Sequence, residues 1–371
     1  MKQKFLSGVT LAALTLLVAL PLLFILLQAI FPHFSAGSLH DAFGGVSPLL
    51  ADPQLPSMLG GTLWIAGGVA LASVMIGLPL GILRGMFSLP LPRLWDLLFL
   101  IPFLTPPYIS ALSWMLALQR QGYLQQLTGW QLNDLLFSRS GIVLVMTFNI
   151  FPVVYFAVSR SLLASGQRLA MVARVHGASA WRAFWHVTLP MLSPALAAGM
   201  LLAFTLAIEE FGVPAALGSR AGVVMLTVPA LLSLLLMTVA LFAWWLQTRL
   251  VGEKEVTSVT GKPGENRGTS LGWMTLPALL AMAAVGGLAV GVPAVSMMLT
   301  SLMGTLSGGV SLENVTLRHF AALFDQQGDA LSALGVSLSL ALGSALIVGA
   351  LGLLAAWLVM VQKIKGRGVV D

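Results

Sequence analysis

The chain has 371 residues, of which 58% are hydrophobic and only 9% are charged. Soluble domains carry about 25% charged residues, so this composition excludes a water-soluble fold. The absence of cysteine excludes disulfides, thiolate zinc sites and cysteine-ligated iron–sulfur clusters. The net charge of +6 does not indicate binding to nucleic acid, because the cations lie between apolar runs and not on one soluble surface.

Apolar runs long enough to cross a bilayer, about 20 residues each, recur along the whole chain. The first follows Lys2 and Lys4. It is longer than the apolar core of a cleaved signal peptide, about 7–15 residues, so it is predicted to remain as a helix. Eight spans are predicted, at 5–30, 60–83, 94–118, 141–159, 191–212, 223–247, 272–298 and 333–360. The sequence therefore predicts an all-α membrane protein.

The distribution of positive charge predicts the orientation. With the N-terminus inside, fifteen of the 19 Lys and Arg residues lie in cytoplasmic segments, and the outer segments hold only Arg120, Arg139, Arg220 and Arg318. Cytoplasmic loops carry the excess of Lys and Arg in multi-pass membrane proteins. Both ends of the chain are therefore predicted to be cytoplasmic, and the loop that contains Asp41 and Asp52 is predicted to lie outside.

Pairs of small residues four positions apart occur in several spans. Such spacing lets helix backbones approach closely where lipid supplies no hydrophobic drive for association. The pairs are Gly68 and Ala72, Gly287 and Gly291, and Ser339 and Gly343. We expect them to serve ordinary helix packing.

The cytoplasmic segment between the fourth and fifth spans, residues 165–190, differs from the other loops. Leu, Val and Ala recur at helical spacing from Leu169 to Val175. Gly177 then interrupts the helix, and Ala178 and Ser179 restart one. Pro190 marks the start of the next span. The pattern predicts two short helices that lie along the inner surface of the membrane.

This segment resembles the cytoplasmic signature of the inner-membrane component of ABC importers, which reads Glu-Ala-Ala, three residues, Gly, about nine residues, an aliphatic residue, Leu and Pro. The Gly, Leu and Pro of that signature match, and the Glu-Ala-Ala does not. In that family the segment forms a coupling helix that docks in a cleft of the ATP-hydrolysing subunit. The resemblance therefore assigns ATPase coupling to Arg168, Met171, Val172, Ala173, Arg174, Gly177, Ala178, Ser179, Leu189 and Pro190.

The glutamate of the signature is missing here, so other residues must make the polar contacts of this segment with the ATPase. Met171, Val172 and Ala173 occupy the Glu-Ala-Ala positions. The segment instead carries arginines that would contact the ATPase, although the positive-inside bias alone would also place them here. These arginines are Arg168, Arg174 and Arg182.

Two further stretches, Pro102–Tyr108 and Glu209–Gly218, resemble the double-length permeases that import ferric iron. Aminoalkylphosphonate and polyamine importers are the alternatives. The resemblance implies the transmembrane domain of a type I ABC importer in the bacterial inner membrane, which forms the translocation path and is not itself an enzyme. The implied partners are an ABC ATPase in two copies, a periplasmic substrate-binding protein and the lipid bilayer. This chain is expected to bind no metal or cofactor, and ATP is expected on the ATPase.

Residues 248–271 are polar and rich in helix-breaking residues, which predicts a flexible cytoplasmic linker. The predicted domains are a first helix (1–30), a first permease domain (60–247) with the coupling loop at 165–190, the linker, and the start of a second permease domain (272–371). A weak internal repeat supports this division, since Gly61 and Gly335 open similar Gly-rich spans. The double-length family has two six-span halves, so the second half is expected to be incomplete and the chain to be part of a longer permease.

A few polar side chains fall within or at the ends of the spans. Glu209 and Glu210 are candidates for the translocation path, because a carboxylate in lipid costs at least about 2.5 kcal/mol and usually marks a pathway. The alternative is a helix end at the level of the lipid headgroups. Asn149 and Tyr155 would line the path or hydrogen-bond to another helix, and polar side chains commonly do the latter in membrane bundles.

Two other groups of titratable residues lie near the predicted inner surface. Asp96, at the start of the third span, is predicted to form an ion pair with Arg93. His176 and His186 could be metal ligands, but no carboxylate lies near them in the sequence to complete a site.

No nucleotide-binding Gly-x-x-x-x-Gly-Lys-Ser/Thr loop occurs, since Gly261 and Lys262 are followed by Pro263, so ATP must bind to another chain. An ion-coupled secondary transporter is an alternative, but it would need several acids at mid-membrane, where only Glu209 and Glu210 are candidates. An intramembrane enzyme would need a His-Glu-x-x-His or Gly-x-Ser-x-Gly motif, and neither is present. A channel would need a re-entrant filter segment, and none is predicted.

Overall fold

The fold is almost entirely helical in the computed structural model, which describes residues 13, 15–165, 168–221, 238, 242, 245, 269–306, 308–324 and 330–360. The main helices are α1 (Thr15–Ile30), α2 (Leu55–Met86), α3 (Pro92–Leu104), α4 (Pro107–Leu118), α5 (Arg139–Ser165), α6 (Arg168–Val175), α7 (Ala180–Glu209), α8 (Gly212–Ala221), α9 (Gly272–Leu302) and α10 (Ala330–Met360). Shorter helices cover Val46–Leu50, Tyr123–Thr128, Asn133–Leu136 and Arg318–Leu323. Within the described ranges, β contacts are limited to isolated bridges that join Phe87 to Thr269 and Met303 to Val315.

The chain forms two compact units. One contains α1 and α10, and the other contains α2 to α9 with the loop that continues to Val315. In the second unit, α9 packs on the helices that precede it in the chain. A Cβ atom on Gly286 would lie 2.6 Å from Cδ2 of Leu98 in α3, and the Tyr123 and Thr300 hydroxyls share a hydrogen bond of 2.7 Å. The assignment of residues 272–371 to a second permease domain stays a prediction.

Five of the described helices are long and apolar enough to cross a membrane. They are α2, α5, α7, α9 and most of α10, and each overlaps a span predicted from the sequence. The third predicted span, 94–118, is not one straight helix, because it is bent by 95° between α3 and the helix that starts at Pro107. The sixth predicted span, 223–247, lies outside the described residues apart from three positions, and so does the predicted linker up to residue 268. The count of eight spans stays a prediction.

Helix α5 is the central helix of the second unit. Its Phe151, Val154 and Val158 side chains have no exposed surface. Glycines at every fourth position of α2 let the two backbones meet: a Cβ atom would lie 2.8 Å from Val154 Cβ at Gly77, and 2.9 Å from Val158 Cβ at Gly81. The next glycine in this series, Gly85, is placed in the same way against Leu162. Only glycine fits at such distances, so α2 and α5 are held at backbone contact.

Candidate functional site

The first half of the predicted coupling segment folds as expected. Helix α6 ends at Val175, and Gly177 follows it with φ of +90°. The Ala178 N–H donates to the Ala173 carbonyl at 3.0 Å and the Gly177 N–H to the Arg174 carbonyl at 3.0 Å. These two bonds are the Schellman motif, in which a residue with positive φ satisfies the last carbonyls of a helix. Gly177 therefore matches the signature because the turn requires a glycine at that point.

The second half of the segment differs from the prediction of two short helices. Ser179 caps a new helix by accepting the Arg182 N–H at 3.2 Å, but that helix continues as α7 to Glu209. Leu189 and Pro190 therefore lie inside α7 and not at its start. The physical reason is a widened turn of π-helix at Phe184–Thr188, in which the Leu189 N–H donates to the Phe184 carbonyl five residues back. This wider turn precedes Pro190, which has no N–H to donate.

Large apolar side chains are exposed on both sides of the Gly177 turn. Val175 is 85% exposed and Trp181 71% exposed, and Met171, Val172 and Trp185 are each about half exposed. We call these five residues the docking surface. Arg174 and Arg182 are exposed beside it, whereas the side chain of Arg168 lies outside the described residues. Exposed apolar residues grouped in this way mark interaction sites with a protein or a membrane.

Three residues of the docking surface were not predicted from the sequence. Val175, Trp181 and Trp185 lie outside the signature positions, and a usable signal was present in the two tryptophans four residues apart in a predicted cytoplasmic segment. Their rings pack edge to face with centroids 5.4 Å apart. Of the predicted coupling residues, Ala173 and Ala178 are half-buried and form the turn.

The two histidines of the segment make local contacts. Nδ1 of His176 lies 2.9 Å from the Val172 carbonyl, and Nδ1 of His186 lies 3.1 Å from the Arg182 carbonyl. Each histidine is thus hydrogen-bonded within its own helix or turn. In the described part of the chain, no group of three metal-ligating side chains converges.

Asp96 forms an ion cluster that joins three helices, and its predicted pairing with Arg93 is wrong. Its carboxylate accepts from Arg84 of α2 at 3.0 and 2.8 Å, from the Tyr155 hydroxyl of α5 at 2.7 Å, and lies 3.6 Å from Arg160 of α5. The Arg84 and Asp96 side chains are only 14% and 15% exposed. The sequence offered Arg93 as the nearest cation, but Arg93 is exposed in the first turn of the same helix, and two cations from other helices reach the carboxylate instead.

Asn149 of α5 lies at the break between α3 and α4. Its side-chain amide donates to the carbonyls of Pro102 at 2.6 Å and Thr105 at 3.1 Å. Within a continuous helix the Pro102 carbonyl would accept from residue 106, which is a proline without an N–H. Asn149 and Tyr155 are therefore both buried and hydrogen-bonded to α3, and their assignment to the translocation path stays a prediction.

Glu209 and Glu210 occupy different environments at the end of α7. Oε1 of Glu210 accepts the N–H groups of Gly212 at 2.6 Å and Val213 at 3.2 Å, so it caps the N-terminus of α8. Glu209 is exposed. The capping carboxylate also lies beside Tyr108, because a Cβ atom on Gly212 would be 2.9 Å from Glu210 Oε1 and 3.0 Å from Tyr108 Cβ. The helix breaks before α4 and before α8 thus meet at one place.

Comparison with known proteins covers most of the second unit. The family described as the binding-protein-dependent transport system inner membrane component matches residues 73–289, which is more than half of the chain. The matched stretch runs from α2 into α9 and includes the ion cluster, both helix breaks and the docking surface.

Individual relatives of this chain are also named as permease proteins of transport systems. Residues of this chain are 32% identical over 216 positions to the sulfate transport system permease protein CysW of Escherichia coli, covering 56% of this chain and 68% of the relative. They are 27% identical over 207 positions to the molybdenum transport system permease protein ModB of Mycobacterium bovis, covering 56% and 74%. They are 28% identical over 161 positions to the probable sulfate transport system permease protein cysT of Marchantia polymorpha.

The aligned region covers 43% of this chain and 56% of the Marchantia protein. The family match, the relatives and the apolar helices agree with one another on the class of protein. This chain belongs to the family of inner-membrane components of binding-protein-dependent transport systems, and it is a permease subunit of an ABC importer.

Proposed function

We propose that this chain conducts a tetrahedral oxyanion such as sulfate or molybdate, and that a separate ATPase docks on α6 and the first turns of α7. The observation that carries the substrate class is the set of relatives named as sulfate and molybdenum permeases, each of which matches 56% of this chain. Molybdenum is carried in water as the molybdate oxyanion, so one chemistry covers both names. Ferric iron, expected from the sequence resemblance, finds no support among these relatives.

The exposed Glu209 limits where an oxyanion path can run. A dianion would be repelled by the Glu209 carboxylate at close range. The Glu210 carboxylate is engaged in capping α8. An oxyanion path therefore implies that both acids lie beside the path, whereas a cation path would use Glu209 as a lining group.

The docking surface supports the ATPase proposal through its composition. Trp181 and Val175 supply a rigid apolar centre, and tryptophan is among the residues that dominate binding energy at protein interfaces. Arg174 and Arg182 flank this centre with positive charge, which favours a partner cleft with an acidic rim. Helix α6 has eight residues, so it can transmit a rigid-body movement to α5 and α7.

The remaining features of the importer follow from this assignment. ATP binds to the partner, which is present in two copies, and a periplasmic binding protein delivers the substrate to the outer surface. This chain lies in the bacterial inner membrane with residues 165–190 on the cytoplasmic side, and it binds no cofactor of its own. Residues 272–371 would open a second permease domain.

The docking proposal is tested with two exposed tryptophans, Trp181 in the docking surface and Trp130 in the predicted outer loop, which are 71% and 70% exposed. Each is changed to cysteine in this cysteine-free chain, and a bifunctional thiol-to-amine cross-linker is added to membranes that contain the ATPase. We expect the ATPase to be captured from Trp181→Cys and not from Trp130→Cys. Capture from both positions, or from Trp130→Cys alone, would contradict the docking site.

The substrate proposal is tested by uptake of labelled sulfate, molybdate, ferric citrate and aminoethylphosphonate into cells that depend on this importer. We expect uptake of sulfate or molybdate, and we expect Glu209→Gln to leave the rate unchanged or to raise it. Uptake of ferric iron that is lost in Glu209→Gln would instead establish a cation path lined by that residue.

A further inference from the structure

Helix α5 holds α3 at three heights, and α3 ends at a break in the chain. We infer that α3 moves as one body with α5, that the chain bends at Thr105–Pro106, and that Asn149 and Tyr155 are the positioning residues that fix α3 to α5 during the transport cycle. The inference rests on the proposed docking of an ATPase at α6, because it describes how movement at α6 reaches the centre of the bundle.

The outer attachment is the Asn149 amide. The amide has two hydrogens, and the Pro102 and Thr105 carbonyls use both. Asn149 is only 4% exposed, so no water competes for these bonds. An unsatisfied carbonyl in a membrane interior is costly, and the bonds therefore keep the end of α3 on α5 as long as α5 supplies the donor.

The middle attachment is aromatic. The Phe99 ring of α3 packs edge to face against Phe151 and Tyr155 of α5, with centroids 5.5 and 5.0 Å apart. All three side chains are fully buried. Such pairs prefer this tilted geometry, so the contact resists sliding of α3 along α5.

The inner attachment is the ion cluster around Asp96. The carboxylate lies one turn after the start of α3, and it accepts hydrogen bonds from the Tyr155 hydroxyl at 2.7 Å and from two guanidinium nitrogens of Arg84, Nε and Nη2. Arg160 of α5 lies 3.6 Å from the same carboxylate. The carboxylate thus ties α3 to α5 and also to α2, the helix in backbone contact with α5.

The connection from α3 to α4 is much weaker. Pro106 and Pro107 have no N–H, so the carbonyls of Pro102 and Phe103 can form no helical bond across the break. Thr105 and Pro106 are extended, with ψ of 127° and 128°. The last helical bond on one side is from the Thr105 N–H to Ile101, and the first on the other is from the Ile109 N–H to Pro106. Bending at this point therefore breaks no backbone hydrogen bond.

Helix α6, which carries part of the docking surface, follows α5 almost directly in the sequence. Helix α5 ends at Ser165, and α6 starts at Arg168. A movement of α6 that displaces α5 would carry α3 along through the three attachments, and α4 would be left to change its angle at Pro106. The break adjoins Tyr108 and the start of α8. This movement would therefore change the distance between the break before α4 and the break before α8.

The test separates coupling from folding. Tyr155→Phe and Asn149→Leu are combined in one double variant, with Ser159→Ala as the control because the Ser159 hydroxyl is buried and bonds within α5 itself. Transport of labelled sulfate or molybdate per ATP hydrolysed is measured in vesicles that contain the complete importer. We expect the double variant to hydrolyse ATP but to transport about tenfold less per ATP, a change within the range seen for residues that carry coupling between sites. The control should keep the wild-type ratio.

A distance measurement reports the movement directly. Spin labels are placed on cysteines at the exposed Leu97 of α3 paired with Ala164 of α5, and at Leu97 paired with Arg120 after α4. In the wild type, we expect ATP to leave the first distance unchanged and to alter the second. In the double variant, the first distance should also change. Wild-type coupling in the double variant, or an unchanged second distance in a wild type that transports, would overturn the inference alone. A wild type that neither binds the ATPase nor transports would overturn the proposed function, and the inference with it.

Discussion

Helices α5 and α10 are alike by hydropathy and opposite in surroundings. The apolar windows of Arg139–Ala164 in α5 and Ala330–Leu354 in α10 both have a mean hydropathy of 2.1, yet 72% of the first is buried inside the chain and none of the second is. Hydropathy thus identifies a helix that can enter a membrane, but it does not say whether protein or lipid covers that helix. The difference lies in whether other helices of the chain pack against the apolar helix.

The polar residues of the two helices show this difference. In α5, Asn149 and Tyr155 bond to α3, a different helix. In α10, the Ser339 hydroxyl donates to the Val336 carbonyl of its own helix at 2.8 Å. A polar side chain that bonds to another helix fixes a partner and a register, whereas one that bonds to its own backbone fixes neither.

The largest expected effect is from removing the acid that holds three helices together. Asp96→Ala leaves the Arg84 guanidinium without its partner, and breaking a buried ion pair in this way costs about 3–5 kcal/mol. The slight exposure of the pair places the expected loss at the lower end of that range. The measurement is thermal unfolding in detergent, with Asp134→Ala as the control because Asp134 is exposed. Equal losses in both variants would show that the cluster does not hold α5 in place.

The second-largest expected loss of stability is from replacing a glycine of α2, and a glycine of α10 is the matched control. Gly81→Leu places a side chain where a Cβ atom is already 2.9 Å from Val158 Cβ and 3.0 Å from the Tyr155 carbonyl, whereas a Cβ atom on Gly343 would have no described atom from outside its own helix within 4 Å. Overpacking of this kind costs about 1–3 kcal/mol. We expect Gly81→Leu to lower the unfolding temperature and Gly343→Leu to leave it unchanged. A destabilised Gly343→Leu would reveal a protein neighbour for α10.

The smallest effect concerns single hydroxyls. Tyr155→Phe removes one hydrogen bond between helices, which is worth about 0.6 kcal/mol on average in a membrane bundle. Ser339→Ala removes a bond within one helix and should change the stability of the protein by less. Both variants are compared by unfolding in detergent. A loss for Tyr155→Phe as large as that for Asp96→Ala would mean that the variant disrupts the cluster as a whole.

Sequence patterns predicted helix packing without saying where it occurs. Gly68, one of the predicted small residues, does lie close to another helix, since its Cβ would be 3.2 Å from Val143. Gly287, Gly291 and Gly343 belong to pairs with the same four-residue spacing in the sequence, but among the described residues a Cβ atom on any of them would have no neighbour from another helix within 4 Å. Spacing places small residues on one side of a helix, but the partner is chosen by the rest of the bundle.

The sequence by itself determined the membrane class, the position of most long helices, the turn at Gly177 and the family. Each of these depends on local properties, namely apolar length, the backbone freedom of glycine and short-range spacing, which are readable along the chain. The tertiary structure decided which cation meets Asp96, why Pro106 breaks the third span while Pro190 is accommodated inside α7, and what Glu210 does. These depend on contacts between residues far apart in the chain: Asn149 bonds to the carbonyl of Pro102, and no local pattern around either residue records the other.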